Sequence, residues 1–298
     1  MVETKVTRKH TFRKLEDLNL IDNFLFQQVM IHEDGEEFAR ILLTTILNKP
    51  IGKVKITPQK DVPGADINRH GICMDVYIEE MSAEIIPNVY DIEPNNTNEK
   101  ETLPRRTRYY HGLIDTQLLS SGTDYSKLPN MFIIMILPYD PFGKDRMVYT
   151  IKNSCVEDPE INYNDGATKI YLYTKGKEGN PSQELKNVLK YIQESTKENA
   201  VGKEARKLQD FVEKVKQRRE VGINYMKSWE MEAWIKKEAY KEGHEEGYED
   251  GRAEGQKDMQ EKINRLNLKL AELGRLEDLV EAARNKGYQE KLFKEFDL

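Results

Sequence analysis

GICMDVYIE (71–79) and IPNVYDIE (86–93) are the two stretches on which the fold of this chain turns. Both are short, bounded by polar or turn residues, and rich in β-branched and aromatic side chains, as strands are. The linker containing MSAE is short enough for a hairpin, so the two strands are expected to pair. Side chains alternate faces along a strand, which puts Asp91, Glu93 and Asn95 on one face of the second. Asp75 and Glu93 are then expected to converge from neighbouring strands. Carboxylates brought together without a counter-charge repel, and one pKa rises. A hard divalent cation, Mg2+ or Mn2+, relieves that repulsion through oxygen ligands. Taken bare, the same residues also read as solvated surface charges.

Upstream, residues 15–30, LEDLNLIDNFLFQQVM, carry apolar residues at helical spacing. FARILLTTIL (38–47) predicts a second helix, stopped by Pro50 and Gly52, and KVKITP (53–58) alternates as an edge strand would. Downstream, PRRTRYYHGLIDTQLLSS (104–121) predicts a helix with Pro104 at its start and Gly122 past its end. NMFIIMILPY (130–139) is nearly continuous in apolar residues, the pattern of a strand buried on both faces. Two further strands are expected at 146–151 and 168–174. This order predicts an α/β core with a mixed central β-sheet flanked by helices.

After GNPSQ the chain turns polar and helical. Residues 184–195 are amphipathic, and 203–262 are densely charged, with Gly243, Gly247, Gly251 and Gly255 spaced four apart. Each helical glycine costs ~1 kcal/mol relative to alanine. The stretch therefore reads as an exposed helix, a self-association segment or a flexible charged linker. Residues 263–298 predict a helical hairpin turning near Gly274.

The net charge of −6 excludes a protein that coats nucleic acid through bulk positive charge. No apolar run approaches the ~20 residues of a membrane span, and no apolar signal core follows the basic N-terminus. The expected setting is cytoplasmic, without membrane association. Cys73 and Cys155 lack metal-ligand spacing and are expected to be buried free thiols. The histidines form no HExxH-type pair, and Ser120-Ser121-Gly122 has no nucleophile-elbow context.

The ordered series HGICMDVYIEE, NVYDIEPNN and LPRRTRYYHGLIDTQLLSSGTDYSKLPNMFIIMILPYDPFG resembles the PD-(D/E)XK nuclease family transposases. These are relatives of the recombination-promoting nucleases encoded near mobile DNA in bacteria. The resemblance covers roughly residues 15–195, and LIDNFLFQQVM fits the family's opening helix, with Asp22 and Phe26 at characteristic positions. It implies a restriction-endonuclease-like core and Mg2+- or Mn2+-dependent hydrolysis of phosphodiester bonds in DNA. Asp75 falls at the strand aspartate and Glu93 at the acidic residue of the E-x-Q/K element, both metal ligands. The carbonyl of Pro94 falls where a third ligand is common. Arg105, Arg108 and Tyr109 match an R-x-x-R-Y run that would hold phosphate or brace the site.

Two positions depart from the pattern. Asn95 stands where Lys or Gln is usual; it can orient water but brings no charge. Pro94 donates no ladder hydrogen bond, so it marks a bulge or the strand's end. Asp22 either reaches the metal site from the first helix, or caps that helix or pairs with an arginine. Asp91 is an accessory ligand candidate one pair further along the face. The cluster Arg105, Arg106, Arg108 and His111 reads as a phosphate contact or as solvated helix arginines. The expected organisation is a basic arm (1–14), the nuclease-like domain (15–195), a charged helical segment (196–262) and a helical hairpin (263–298), with self-association through the last two. The alternative function is a nuclease-fold protein with little or no catalysis that binds nucleic acid or self-assembles.

Overall fold

A computed structural model describes residues 13–63, 71–81 and 87–298. Most of the arm expected at 1–14, and the loop at 82–86 between the two decisive strands, lie outside them. Two compact units divide the chain, Met1–Lys227 and Ser228–Leu298.

The first unit is α/β. Helices α1 (Asn23–Met30) and α2 (Gly35–Leu47) precede strands β1 (Lys53–Val62), β2 (Ile72–Met81) and β3 (Asn88–Pro94). Helix α3 (Leu103–Leu118) leads to β4 (Asn130–Leu137), β5 (Val148–Ile151) and β6 (Ala167–Tyr173), followed by α4 (Gln183–Gln193) and α5 (Lys203–Lys216). The six strands form one mixed sheet in the order β1-β2-β3-β4-β6-β5. β1 is an edge strand, as its alternation predicts, and β1, β2 and β3 are antiparallel neighbours. β3, β4 and β6 are parallel, so β3-α3-β4 is a crossover unit at the centre of the sheet.

Period-two alternation sorts the strands between two cores. Tyr90, Ile92, Ile134, Ile136, Ile170 and Leu172 face α1, α2, α4 and α5. Val89, Met131, Ile133, Met135 and Leu137 face the opposite side, where Leu103 and Ile114 of α3 pack. The apolar run of β4 is buried on both faces, as its composition requires.

Three expectations change. The helix expected over 15–30 is split into a 3-10 turn at Leu15–Asp17 and α1, with Asp22 at the N-cap of the latter. The core does not stop at 195: Ala205, Leu208, Val212 and Val215 of the charged α5 are buried in it. Cys73 is exposed and Cys155 half-buried, so neither is the buried thiol expected. Gly35 opens α2 because nothing larger fits. A Cβ there would stand 2.0 Å from the carbonyl oxygen of Met30.

Helix α6 (Arg219–Glu272) begins in the first unit, where Val221 and Tyr225 are buried. In the second unit, the end of α6 packs Leu266 and Leu270 with Ala282 of α7 (Leu276–Arg284) and Leu292 of α8 (Lys286–Glu295). Gly274 ends α6 with φ +68°, the turn expected there, but the hairpin's second arm is two helices rather than one. The four spaced glycines lie within α6, with nothing within 4 Å of an added Cβ. Among the described residues no helix is long and apolar enough to cross a membrane.

Candidate active site

β2 and β3 stop pairing at Tyr77↔Asp91. Asp75 and Glu93 lie just beyond this point on the two parting strands, Asp75 bonded to α1 and Glu93 to α3. On its other side, β2 pairs with β1 at Pro58↔Val76 and again at Lys60↔Met74, skipping Gln59, whose φ is +49°. Beyond that break the burial phase of β2 changes: Val76 belongs to one core and Met74 to the other. Asp75 thus sits at a kink, where ladder hydrogen bonding gives way on both sides.

The kink is filled by side-chain amides. Gln27 of α1 donates from Nε2 to Oδ1 of Asp75 at 3.0 Å, and its Oε1 accepts Nε2 of Gln59 at 3.0 Å. The first helix therefore reaches the site through Gln27 and not through Asp22. The Asp22 carboxylate is engaged by Arg13 at 2.6 Å and by the backbone N–H of Asn19 at 2.8 Å. That is the arginine-pairing alternative left open by the sequence.

Asp91 and Glu93 are buried, with 0% and 1% of their surface exposed. Among the described residues, both Asp91 oxygens and Oε1 of Glu93 have no hydrogen-bond partner. Glu93 Oε2 accepts Nη2 of Arg106 at 2.9 Å. The backbone amide of Asp75 is turned toward the Glu93 carboxylate and favours its charged form. Burial pushes the Glu93 pKa up to about 7; Arg106 opposes this shift and Asp75 adds to it. Burial, then Glu93 and Asp75, raise Asp91 well above the carboxylate range. Burial also raises Asp75, against the Gln27 hydrogen bond and Arg106. Three carboxyl groups thus crowd a poorly solvated corner, which is the circumstance expected of strands that bring acids together.

Pro94 ends β3 opposite Ile136, so it marks the strand's end and not a bulge. Pairing to β4 continues one residue further, as Asn95 N–H donates to Ile136 O at 2.9 Å. Asn95 is buried; its Oδ1 accepts the N–H of Thr97 at 2.9 Å, and its Nδ2 is a buried donor without a partner among the described residues.

On α3 the arginine that faces the carboxylates is Arg106, which the sequence had placed only in the wider basic cluster. Arg105, Arg108 and Tyr109 are exposed. Arg106 and Tyr110 turn toward the carboxylates, and Arg106 Nε donates to Tyr110 Oη at 3.1 Å. Arg106 Nη1 continues outward to Oε2 of Glu99 at 3.0 Å. The phase of α3 is set by Leu103, Thr107, His111 and Ile114, which are its buried residues. Two of these are polar. Thr107 Oγ1 is satisfied by Leu103 O at 3.1 Å and shares a 2.8 Å hydrogen bond with Tyr171 Oη. His111 bonds the backbone of Thr168, and burial, followed by Lys169, lowers its pKa to about 4. Of the apolar stripe read from the sequence, Leu113, Ile114 and Leu118 do pack on the sheet, but the first half of the buried face, Leu103, Thr107 and His111, was left out of it. Counting in fours from Leu103 would have put Arg106 and Tyr110 beside the buried face.

No group of three or more His, Cys, Asp and Glu side chains stands as a ready metal cage among the described residues. The donor set that suits a hard cation is a smaller one. Asp75 and Glu93 supply carboxylate oxygens, and the unpartnered oxygens of Glu93 and Asp91 leave acceptor capacity unused. No family model, curated protein or solved structure matches the chain.

Proposed function

We propose that the chain is a metal-dependent endonuclease with a restriction-endonuclease-like core, hydrolysing phosphodiester bonds in DNA in the context of mobile DNA or recombination. One observation carries this reading. Where β2 and β3 part, Asp75 lies close enough to Glu93 to shift its pKa, beside a fully buried Asp91, and the three acids offer more acceptor oxygens than Arg106 and Gln27 satisfy.

Asp75 and Glu93 would hold Mg2+ or Mn2+, with the carbonyl of Pro94 as a further ligand and Asp91 in reserve behind them. A bound ion of this kind supplies Lewis-acid stabilisation of the charge that builds on a phosphate during in-line attack. Gln27 fixes the rotamer of Asp75 through its 3.0 Å hydrogen bond. Arg106 opposes the burial-driven rise of the Glu93 pKa and so favours its ionised form. The free Nδ2 of Asn95 is a donor suited to orienting a water or a phosphate oxygen. Arg105 and Arg108, exposed on the same helix, suit contacts with flanking phosphates.

The second reading, a nuclease-fold protein that binds nucleic acid or self-assembles without effective catalysis, is favoured by Asn95. No lysine stands at that position, and the Asn95 carbonyl is committed to the Thr97 N–H. A plasmid-nicking assay with Mg2+, Mn2+ and EDTA separates the two. The nuclease reading expects metal-dependent nicking that disappears in the Asp75→Ala, Glu93→Ala double variant. Nicking that survives the double change rejects the assigned site, and absence of nicking by purified wild-type protein with either metal favours the second reading. A parallel lane with single-stranded RNA tests the polymer.

A further inference from the structure

The guanidinium of Arg106 has two faces of very different character. Inward, Nη2 meets Oε2 of Glu93 at 2.9 Å, a carboxylate only 2% exposed. Outward, Nη1 meets Oε2 of Glu99 at 3.0 Å, and that carboxylate is 37% exposed. The inner pair is fixed, because separating it would leave a buried charge alone. The outer pair faces water, and such pairs are worth little. A carboxylate oxygen and a phosphate oxygen are both charged acceptors that a guanidinium N–H can bond at the same distance.

Glu99 also stands on a surface suited to exchange. It lies on the short segment between β3 and α3, beside a cavity of about 430 Å³ lined by Asn98, Glu99, Lys100, Glu101 and Thr102. The third nitrogen of Arg106, Nε, is held by Tyr110, so the Nη1 side facing Glu99 is the one a ligand can take without disturbing Glu93.

We infer that Glu99 is an internal stand-in for substrate phosphate: a phosphodiester of the nucleic-acid strand displaces its carboxylate from the outer edge of Arg106. This rests on the reading of the site as one that acts on nucleic acid, and it names the group that receives the backbone. In the free protein Glu99 holds Arg106 extended and keeps that edge covered. On binding, one acidic side chain leaves and one phosphate replaces it, so the charge around Glu93 and Asp75 stays nearly constant.

The test is equilibrium binding to a fluorescein-labelled DNA duplex and to the matching single strand, by anisotropy, in EDTA so that cleavage plays no part. Five forms of the full chain are compared: wild type, Glu99→Gln, Glu101→Gln, Arg106→Lys, and Glu99→Gln with Arg106→Lys. Arg106→Lys keeps a positive charge beside Glu93 but loses the planar fork. Thermal melts of each form establish that it is folded. The expected result is binding about threefold to tenfold tighter for Glu99→Gln, a change of less than about twofold for the exposed Glu101→Gln, and loss of the Glu99→Gln gain in the Arg106→Lys background. Equal gains from Glu99→Gln and Glu101→Gln, or a Glu99→Gln gain that persists when combined with Arg106→Lys, would mean general charge repulsion and overturn the inference. So would absence of measurable binding by all five forms. Metal-dependent nicking is scored separately: wild type that nicks DNA while Glu99→Gln leaves affinity unchanged refutes the stand-in and keeps the nuclease.

Discussion

Gln27, on the first helix, holds Oδ1 of Asp75, on the second strand, through a 3.0 Å hydrogen bond from its Nε2. Residues 48 apart in sequence are joined where β2 has lost its regular pairing to β1, so the orientation of Asp75 depends on α1. Replacing Gln27 by Ala removes a hydrogen bond to a charged group, worth on the order of 1 kcal/mol. The expected outcome is Mn2+ affinity weaker by about fivefold, read by titration calorimetry, with the melting temperature nearly unchanged. Gln27→Glu adds a fourth acid to the corner and is expected to lower the melting temperature of the metal-free protein more than Gln27→Ala does.

Arg106 compensates a carboxylate that is otherwise buried. Arg106→Ala is expected to destabilise the metal-free protein by about 2 kcal/mol, a value discounted for the partial exposure of the guanidinium. Adding Glu93→Gln should restore most of that loss, since the uncompensated charge is then gone. Denaturant unfolding of the four proteins of this cycle measures it, and simple additivity of the two changes would contradict the pairing.

The raised pKa of Glu93, about 7, fixes the sign of one pH effect. A carboxyl group that binds its proton more tightly when folded makes the folded state more stable as pH falls. The window runs from about 7 down to the unfolded value near 4.3. In EDTA, Glu93→Gln should therefore melt higher than wild type at pH 8, and the gap should narrow as pH falls through 7 and close near pH 4. Saturating Mn2+ should raise the wild-type melting temperature and leave Glu93→Gln with Asp75→Asn unmoved.

His111 carries the opposite sign. Its folded pKa, about 4, lies below that of an exposed histidine, so its contribution to stability is lost as pH falls from about 6.5 toward 4. At pH 5 the cost is about 2 kcal/mol. His111→Asn should lower stability at pH 7.5 but show a smaller drop between pH 7.5 and 5 than wild type, as followed by chemical denaturation at each pH.

Gly35→Ala drives a methyl group into the carbonyl of Met30, with backbone on both sides of the clash. A loss of about 3 kcal/mol or more is expected. Because α1 carries Gln27, the same change should also weaken Mn2+ binding. A folded variant with unaltered metal affinity would show that α1 can shift without moving Asp75.

Much of the fold is legible in the residues themselves. The strands at 71–79 and 86–93, the β4 run and the order of helices and strands follow from local composition and periodicity, which act over a few residues. The limits of the core are not legible in this way, because α5 is densely charged. Its four buried residues, Ala205, Leu208, Val212 and Val215, recur at helical spacing within a sequence dominated by Lys and Glu. The splitting of the first helix is hidden for a related reason. Leu18, Leu20 and Ile21 are all buried in extended or turn backbone, and their burial mimics a helical stripe.

The candidate site divides along the same line. Strand alternation placed Asp91, Glu93 and Asn95 on one face without knowledge of the rest of the chain, and the family resemblance singled out Asp75, Glu93 and Asn95. Sequence alone could not choose Arg106 over Arg105 and Arg108, nor Gln27 over Asp22. Those choices depend on the rotation of α3 and α1 about their axes. That rotation is fixed by long-range contacts: Thr107 with Tyr171 and His111 with Thr168 on one face, and α1 against the sheet on the other. A strand's two faces are written in its own residues, whereas the direction in which a helix aims a given side chain is decided by whatever it packs against.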